Sequence, residues 1–247
     1  PAQFRIRYID RVAKQDEGIE AFMGKRVHES LEFLYNEVLA GRIPILDSIL
    51  DKYDTLWVEN WHDRIAIVKR EIPIKRTRLV GEACLARYYR NYYPFDTPVI
   101  HNELDMKFSL DTDGIYNIRG IIDRVDQYEN GQYEIHDYKT SSRAMSQNAA
   151  NKDRQLALYQ IGLIKIFPNV QEVKLVWHFL RQGIRREVVK NEADLDNLLD
   201  KIKALIDTIR KKENSNGQFP AKESILCNWC YYWEECPAKN GSNPYVD

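Results

Sequence analysis

The chain has 247 residues, 44% of them hydrophobic, and 36 Lys and Arg against 37 Asp and Glu give a formal net charge of -1. That is enough apolar sequence for one large core or two small ones, and the near-zero charge excludes a polyanion-binding surface spread over the whole molecule, leaving only a local one. The longest apolar stretches, Ile161 to Phe167 and Val173 to Leu180, fall far below the ~20 residues needed to cross a bilayer, so no membrane span is expected.

The chain opens Pro1-Ala2-Gln3-Phe4-Arg5, with neither an initiator methionine nor a secretory pattern, and reads as a cut edge. From Glu17 to Ala40, Ile19, Phe22, Met23, Val27, Leu31, Leu34, Val38 and Leu39 recur at helical spacing, with Gly41 as the stop; this amphipathic helix carries His28. Ile45 to Trp61 and Thr77 to Tyr93 read as two further helices punctuated by Pro44, Pro73 and Pro94. Within this part lies the most basic stretch: Lys69-Arg70, Lys75-Arg76 and Arg78, then Arg87 and Arg90 among Tyr88, Tyr89, Tyr92 and Tyr93. Cations interleaved with rings suit a single nucleic-acid strand, and a solvated helix face with its rings turned inward produces the same pattern.

The pattern then changes to β-branched and aromatic runs. Val99 to Leu110, Ile115 to Gln127 and Tyr133 to Thr140 predict three successive antiparallel strands. A helix from Asp153 to Phe167 follows, then strands at Val173 to Arg181 and Ile184 to Val189 joined around Gln182-Gly183, then a helix from Ala193 to Lys212. This order indicates α/β or α+β: a central mixed sheet flanked by helices, with an N-terminal helical insertion. We expect a single domain over 1–247, with its helical part at about 9–95, a sheet core at about 96–212 and a cysteine-rich segment at about 219–237.

Two carboxylates on neighbouring strands would supply ligands for a hard divalent cation. Asp123 lies in Gly120-Ile121-Ile122-Asp123-Arg124 and Asp137 in Ile135-His136-Asp137-Tyr138-Lys139. Strand alternation puts Asp137 and Lys139 on one face, and His136 and Tyr138 on the other as packing residues. Whether Asp123 joins them depends on the connecting turn. A two-residue turn at Asn130-Gly131 sends its side chain to the wrong face, whereas a three-residue loop, Glu129-Asn130-Gly131 with Gly131 left-handed, sets Asp123 across from Asp137; the second is expected. Lys139 would then sit beside both acids, where an ammonium can orient water and offset phosphate charge. Glu103, on the first strand, is open between a supporting and a solvated position. Gln155 and Tyr159, four apart, share a helix face.

Gly24-Lys25-Arg26-Val27-His28-Glu29, Gly120-Ile121-Ile122-Asp123-Arg124-Val125, Asp137-Tyr138-Lys139-Thr140 and Gln155-Leu156-Ala157-Leu158-Tyr159, in that order, resemble the RecB-like branch of the PD-(D/E)XK nucleases. That branch includes the AddB nuclease domain and the RecB-like CRISPR-associated exonucleases. The resemblance implies a restriction-endonuclease-like core and a magnesium- or manganese-dependent DNA exonuclease acting on single-stranded or unwound ends, with a helicase or repair complex as partner. It implies that His28, Asp123, Asp137 and the Tyr138 carbonyl bind metal, that Lys139 is the catalytic lysine, and that Gln155 and Tyr159 support the site and touch substrate. Ile122 stands where the superfamily label names a proline, and Asp137 where Glu is common. The alternative is a non-cleaving DNA- or protein-binding module of a helicase–nuclease complex.

Cysteine use is lopsided. Cys84 stands alone, while Cys227, Cys230 and Cys236 crowd together, which suggests a metal or cluster site in a reducing compartment such as the cytoplasm. Three thiolates leave a four-coordinate site one ligand short. By the resemblance, the trio holds a [4Fe-4S] cluster with a fourth cysteine preceding Pro1, and the cluster staples the last segment to the first helix. Cys84 is the rival ligand, although its apolar helical neighbours favour a buried, inert thiol; zinc is the alternative occupant.

Overall fold

A computed structural model describes residues 1–215 and 217–239. After a short helical segment over residues 2–9, three long helices form the N-terminal part. The first, α1 (Ile19–Leu39), buries Phe22, Met23, Val27, Leu31, Leu34 and Tyr35 and ends at Gly41, whose positive φ of 74° suits a glycine stop. The second, α2 (Leu46–Asn60), buries Ile49, Tyr53 and Trp57 at four-residue intervals. The third, α3 (Ile74–Tyr92), begins about a turn before the expected Thr77 because Pro73 at the N-cap carries a φ of -59°, already set for a helix start. The last two helices approach closely at Gly81, where an added Cβ would lie 2.1 Å from the Tyr53 hydroxyl.

Five strands follow in a single sheet: β1 (Val99–Ser109), β2 (Asn117–Gln127), β3 (Gln132–Lys139), β4 (Glu172–Phe179) and β5 (Ile184–Val189), in that spatial order. All neighbours are antiparallel except β3 and β4, which run parallel and need the crossover helix α4 (Gln155–Ile166) between them. A long amphipathic helix, α5 (Glu192–Asn214), capped by the Asn191 side chain on the Asp194 N–H (2.9 Å), closes the core.

Side-chain alternation divides the molecule. Tyr133, Ile135, Leu175 and Trp177 join Leu156, Ala157 and Leu163 of α4 and Leu195 and Leu198 of α5 in one apolar cluster, while Tyr138 and Leu180 join α1, α2 and α3 in another. The mixed sheet is therefore flanked by helices, as the element order predicted. Among the described residues no helix is long and apolar enough to cross a membrane.

Between β2, β3 and the helices lies a buried polar layer that the sequence did not announce. Arg124, 2% exposed, meets Asp126 at 2.8 Å, the Tyr88 hydroxyl at 2.8 Å and the Tyr138 hydroxyl at 3.2 Å, with its guanidinium over the Tyr35 ring. His136 continues the chain to His178 at 3.0 Å, and His178 to the Tyr92 hydroxyl at 3.0 Å. Burial is the first cause that pushes both imidazoles well below their ordinary pKa, followed by Arg124 and Arg185 for His136 and by His136 and then those arginines for His178, so they stay neutral. His136 and Tyr138 do face away from the Asp137 side, and they pack there as members of this hydrogen-bonded layer.

Candidate active site

The turn between β2 and β3 decides the geometry. Glu129–Gly131 form a three-residue turn, closed by the Tyr128 N–H donating to the Gln132 carbonyl at 2.8 Å. Asn130 (φ 58°) and Gly131 (φ 73°) are both left-handed; only Gly131 was expected to be. A Cβ on Gly131 would also fall 2.2 Å from the Asn169 carbonyl, so this position needs glycine for space as well as conformation. The resulting register pairs Gln127 with Tyr133 and Arg124 with His136, so its continuation sets Asp123 across from Asp137.

At that point the strands part. In an unbroken ladder the Tyr138 N–H would bond across to the Ile122 carbonyl. It donates instead to Asp123 Oδ2 at 2.7 Å. The Tyr138 carbonyl is 2.8 Å from His28 Nε2, and His28 Nδ1 is 3.5 Å from Asp123 Oδ2. The Tyr138 peptide thus lies between an acid from β2 and an imidazole from α1. On the same strand Lys139 Nζ is 2.9 and 2.8 Å from the two Asp137 oxygens, and it donates to Gln155 Oε1 at 3.4 Å; Gln155 Nε2 in turn donates to the Tyr159 hydroxyl at 3.2 Å. His28 and Asp123 thus meet at the Tyr138 backbone, Asp137, Lys139, Gln155 and Tyr159 form a second chain of short contacts, and the strand β3 itself joins the two groups.

Two features were left open or unseen in the sequence. Glu103 lies in β1 between residues paired with Arg124 and Ile122, and its φ of 50° is left-handed, a strain of ~1–3 kcal/mol for a residue with a side chain. Its carboxylate comes within 4.8 Å of the ligand atoms of both His28 and Asp123. Gly120 is the second: a Cβ there would lie 2.4 Å from Tyr159 Cε1, so this glycine makes room for the Tyr159 ring. The signal was present as Gly120 in one motif and Tyr159 in another, but their contact spans 39 positions of sequence and no local pattern reports it.

Charge crowding runs through the site. Burial, then Asp123, raise the Asp137 carboxyl to about 6 despite Lys139, and burial followed by Asp123 raises Glu103 to about 7. For His28, burial lowers the pKa, but the hydrogen bond and charge of Asp123, then Asp137 and the Tyr138 carbonyl, outweigh it and leave a net rise. Carboxylates, an imidazole and a carbonyl held this close, with Asp137 Oδ2 buried and lacking a hydrogen-bond donor of good geometry, form a donor set that fits a hard divalent cation. Asp126, Glu134 and His136 also bring ligand atoms within 4.8 Å of one another. There, however, Arg124, Lys174 and Arg185 already supply the positive charge, at 2.8 Å from Asp126 or Glu134.

The site opens into a groove of about 1840 Å³ whose walls include His28, Lys139, Lys69, Arg76, Arg181 and Trp229. The basic stretch divides here. Lys69 and Arg76 reach the groove, Arg78 pairs with Asp54 at 2.6 Å, and the rings of Tyr88 and Tyr92 pack on His178. Tyr88 is thus core and Tyr92 packs beside it, while Tyr93 stays exposed, and of the cations in the stretch Lys69 and Arg76 are the ones that line the groove.

The cysteines separate as expected in one respect. Cys84 is buried, and burial pushes its thiol up to about 11. Cys227, Cys230 and Cys236 are half-buried free thiols on a segment docked to the first residues by the Tyr232 hydroxyl on the Val12 carbonyl (3.1 Å) and by Lys14 on Glu235 (2.7 Å). Burial raises the Cys230 thiol, and Cys236 and Cys227 add to the rise.

A five-stranded mixed sheet flanked by helices, with acids meeting on adjoining strands, defines a restriction-endonuclease-like core. The family model described as the PD-(D/E)XK nuclease superfamily matches residues 1–237, and the chain belongs to that superfamily. Family membership makes it a nuclease, of a class that uses divalent metals. Among solved structures, a protein from Eubacterium rectale described as "Putative exonuclease" superposes with a TM-score of 0.52 at 13% identity, covering 91% of this chain and 84% of that one; at this identity the likeness is one of fold. SSO0001 aligns over 97% of this chain and 96% of its own at 15% identity, with a TM-score of 0.38. No curated protein matches.

Proposed function

We infer that this protein is a RecB-like, magnesium- or manganese-dependent DNA exonuclease that acts on single-stranded or unwound ends. The observation that carries the reading is the meeting of His28, Asp123, Asp137 and Lys139 around the Tyr138 peptide. A divalent ion held by His28, Asp123, Asp137 and the Tyr138 carbonyl would supply positive charge to the phosphate oxygens and a more acidic water. Glu103, facing His28 and Asp123, belongs to the same set.

The remaining chemistry is that of the side chains. Lys139 offers ammonium donors to a phosphate oxygen or to the attacking water, while Asp137 fixes its position. Gln155 restrains the same ammonium from α4, and Tyr159 restrains Gln155. His28 and the Tyr138 N–H hold Asp123 by its Oδ2, which limits the carboxylate to one orientation. Preference for a single strand rests on the groove, whose lining includes cations and Trp229.

Cys227, Cys230 and Cys236 suit three thiolates of a [4Fe-4S] cluster with a fourth ligand, a cofactor stable in a reducing cytoplasm. Iron and acid-labile sulfide analysis of the purified protein tests this. A helicase or repair complex that exposes DNA ends is the partner that such an activity requires, in repair, recombination or phage- and CRISPR-related processing.

The decisive assay digests end-labelled single- and double-stranded DNA with and without magnesium or manganese, comparing the parent with Asp137→Ala and Lys139→Ala. Metal-dependent loss of label from single strands by the parent alone is expected. Equal cutting by parent and variants removes the site, and absence of cutting by the parent leaves a binding module.

A further inference from the structure

Past Lys139 the groove runs along the loop of Thr140, Ser141 and Ser142, bounded by Arg76 of α3 and by Arg181 from the turn between β4 and β5. Many cations of this protein already have partners: Lys25 pairs with Glu17, Lys14 with Glu235, Arg78 with Asp54 and Arg185 with Glu134. Arg181 does not. Among the described residues its half-buried guanidinium has no ion pair, and its Nε is buried with no hydrogen-bond partner. Arg76 is exposed and likewise lacks a counter-ion among the described residues. The hydroxyls of Thr140 and Ser142 reach no acceptor within that same set.

These donors are held in place. Gln182 Nε2 donates to the carbonyls of Ser141 (3.3 Å) and Ser142 (2.8 Å), and the Leu180 N–H donates to the Lys139 carbonyl at 2.9 Å. Arg87 of α3 donates to the carbonyls of Leu180 (3.1 Å) and Arg181, clamping the chain that carries the free guanidinium. Thr140 is fixed against α1, its Oγ1 3.0 Å from where a Cβ on Gly24 would stand. A half-desolvated cation without a partner is costly. Guanidinium and hydroxyl donors with no carboxylate paired to them suit a phosphate, which accepts from both.

We propose that Arg181 and Arg76, with the Thr140 and Ser142 hydroxyls, line a subsite for backbone phosphates of the strand beside the one presented to Lys139. Both arginines act as positioning residues that fix how far the strand enters the groove. The subsite's place beside the scissile bond rests on the nuclease reading above; its binding of phosphate does not.

Fluorescence anisotropy of a labelled single-stranded oligothymidylate in EDTA, titrated at several salt concentrations, tests the subsite without cleavage. Each phosphate contact contributes roughly 0.7 to the slope of log affinity against log salt for a single strand. Arg181→Gln and Arg76→Gln should each lower the slope by about that amount, and Arg181→Lys should keep the parent slope because it keeps the charge. An unchanged slope in Arg181→Gln overturns the subsite, as does an Arg181→Lys slope that falls equally far, since that marks a packing role. Should Arg181→Gln not fold, Arg76→Gln decides, its exposed position leaving the core untouched, and a parent-like slope there overturns the proposal. Failure of the nuclease reading appears elsewhere, as undiminished cleavage by Asp137→Ala in magnesium.

Discussion

Replacing Gly120 by alanine should uncouple the support of Lys139 while leaving every charged group of the site in place. The new methyl would stand 2.4, 3.0 and 3.2 Å from Cε1, Cδ1 and Cζ of Tyr159, so the ring must move by roughly 1 Å or more to restore ordinary contact. Overpacking of this kind costs about 1–3 kcal/mol, and in a chain of this size each 1 kcal/mol lowers the melting temperature by roughly 2–4 °C. The displaced ring takes its hydroxyl from Gln155, which then no longer restrains Lys139. A misplacement near 1 Å at a reacting group costs on the order of 10²-fold in rate. The assay pairs thermal denaturation with kcat/KM on an end-labelled strand, in the parent, Gly120→Ala, Tyr159→Ala and the double variant. If the ring is the only obstacle, Gly120→Ala costs little stability once Tyr159 is already alanine. A Gly120→Ala protein that melts and cleaves like the parent, or a double variant whose losses simply add, would refute the reasoning.

Arg124→Met should destabilise by about 3–5 kcal/mol, because it strands a buried Asp126 without its cation and leaves the hydroxyls of Tyr88 and Tyr138 short of a donor; a urea midpoint equal to the parent's would contradict this. Cys84, with its thiol pushed up to about 11, is only ~0.1% thiolate at pH 8, so alkylation of the folded protein there should be far slower than after denaturation, and raising the pH to 9 should quicken it by no more than about tenfold. Its labelling in the native state, followed by peptide mass, would show the burial to be wrong. Magnesium or manganese at about 100 times its Kd should stabilise the protein by ~2.7 kcal/mol, and Asp137→Ala should abolish the gain; an equal melting shift in that variant would place the ion elsewhere.

Much of this arrangement was legible because it depends on local rules. Strand alternation put Asp137 and Lys139 together, and the choice of a three-residue turn at Glu129–Gly131 brought Asp123 to their face. Helix limits followed the apolar spacing except at α3, where Pro73 carried the start upstream. What escaped notice depends on coincidence in space. The layer of Tyr35, Tyr88, Arg124, His136 and His178 draws single polar residues from two helices and three strands, and none of them marks the others in sequence. Glu103 was undecided because alternation fails at a left-handed residue. The tyrosines of the basic stretch were ambiguous because a ring that stacks on a base and a ring that packs on a histidine have the same helical spacing.

Tyr138 occupies an unusual position in this scheme. Its ring is anchored in the layer behind the sheet, while its amide and carbonyl serve the front. The side chain therefore works like a keel: it never meets the substrate, yet its tilt sets the orientation of the peptide on which His28 and Asp123 converge. In a mutational scan scored by cleavage, Tyr35, Tyr88 and Arg124 should rank in intolerance with Asp123 and Asp137, so that the functional footprint on the sequence extends well behind the surface that DNA touches.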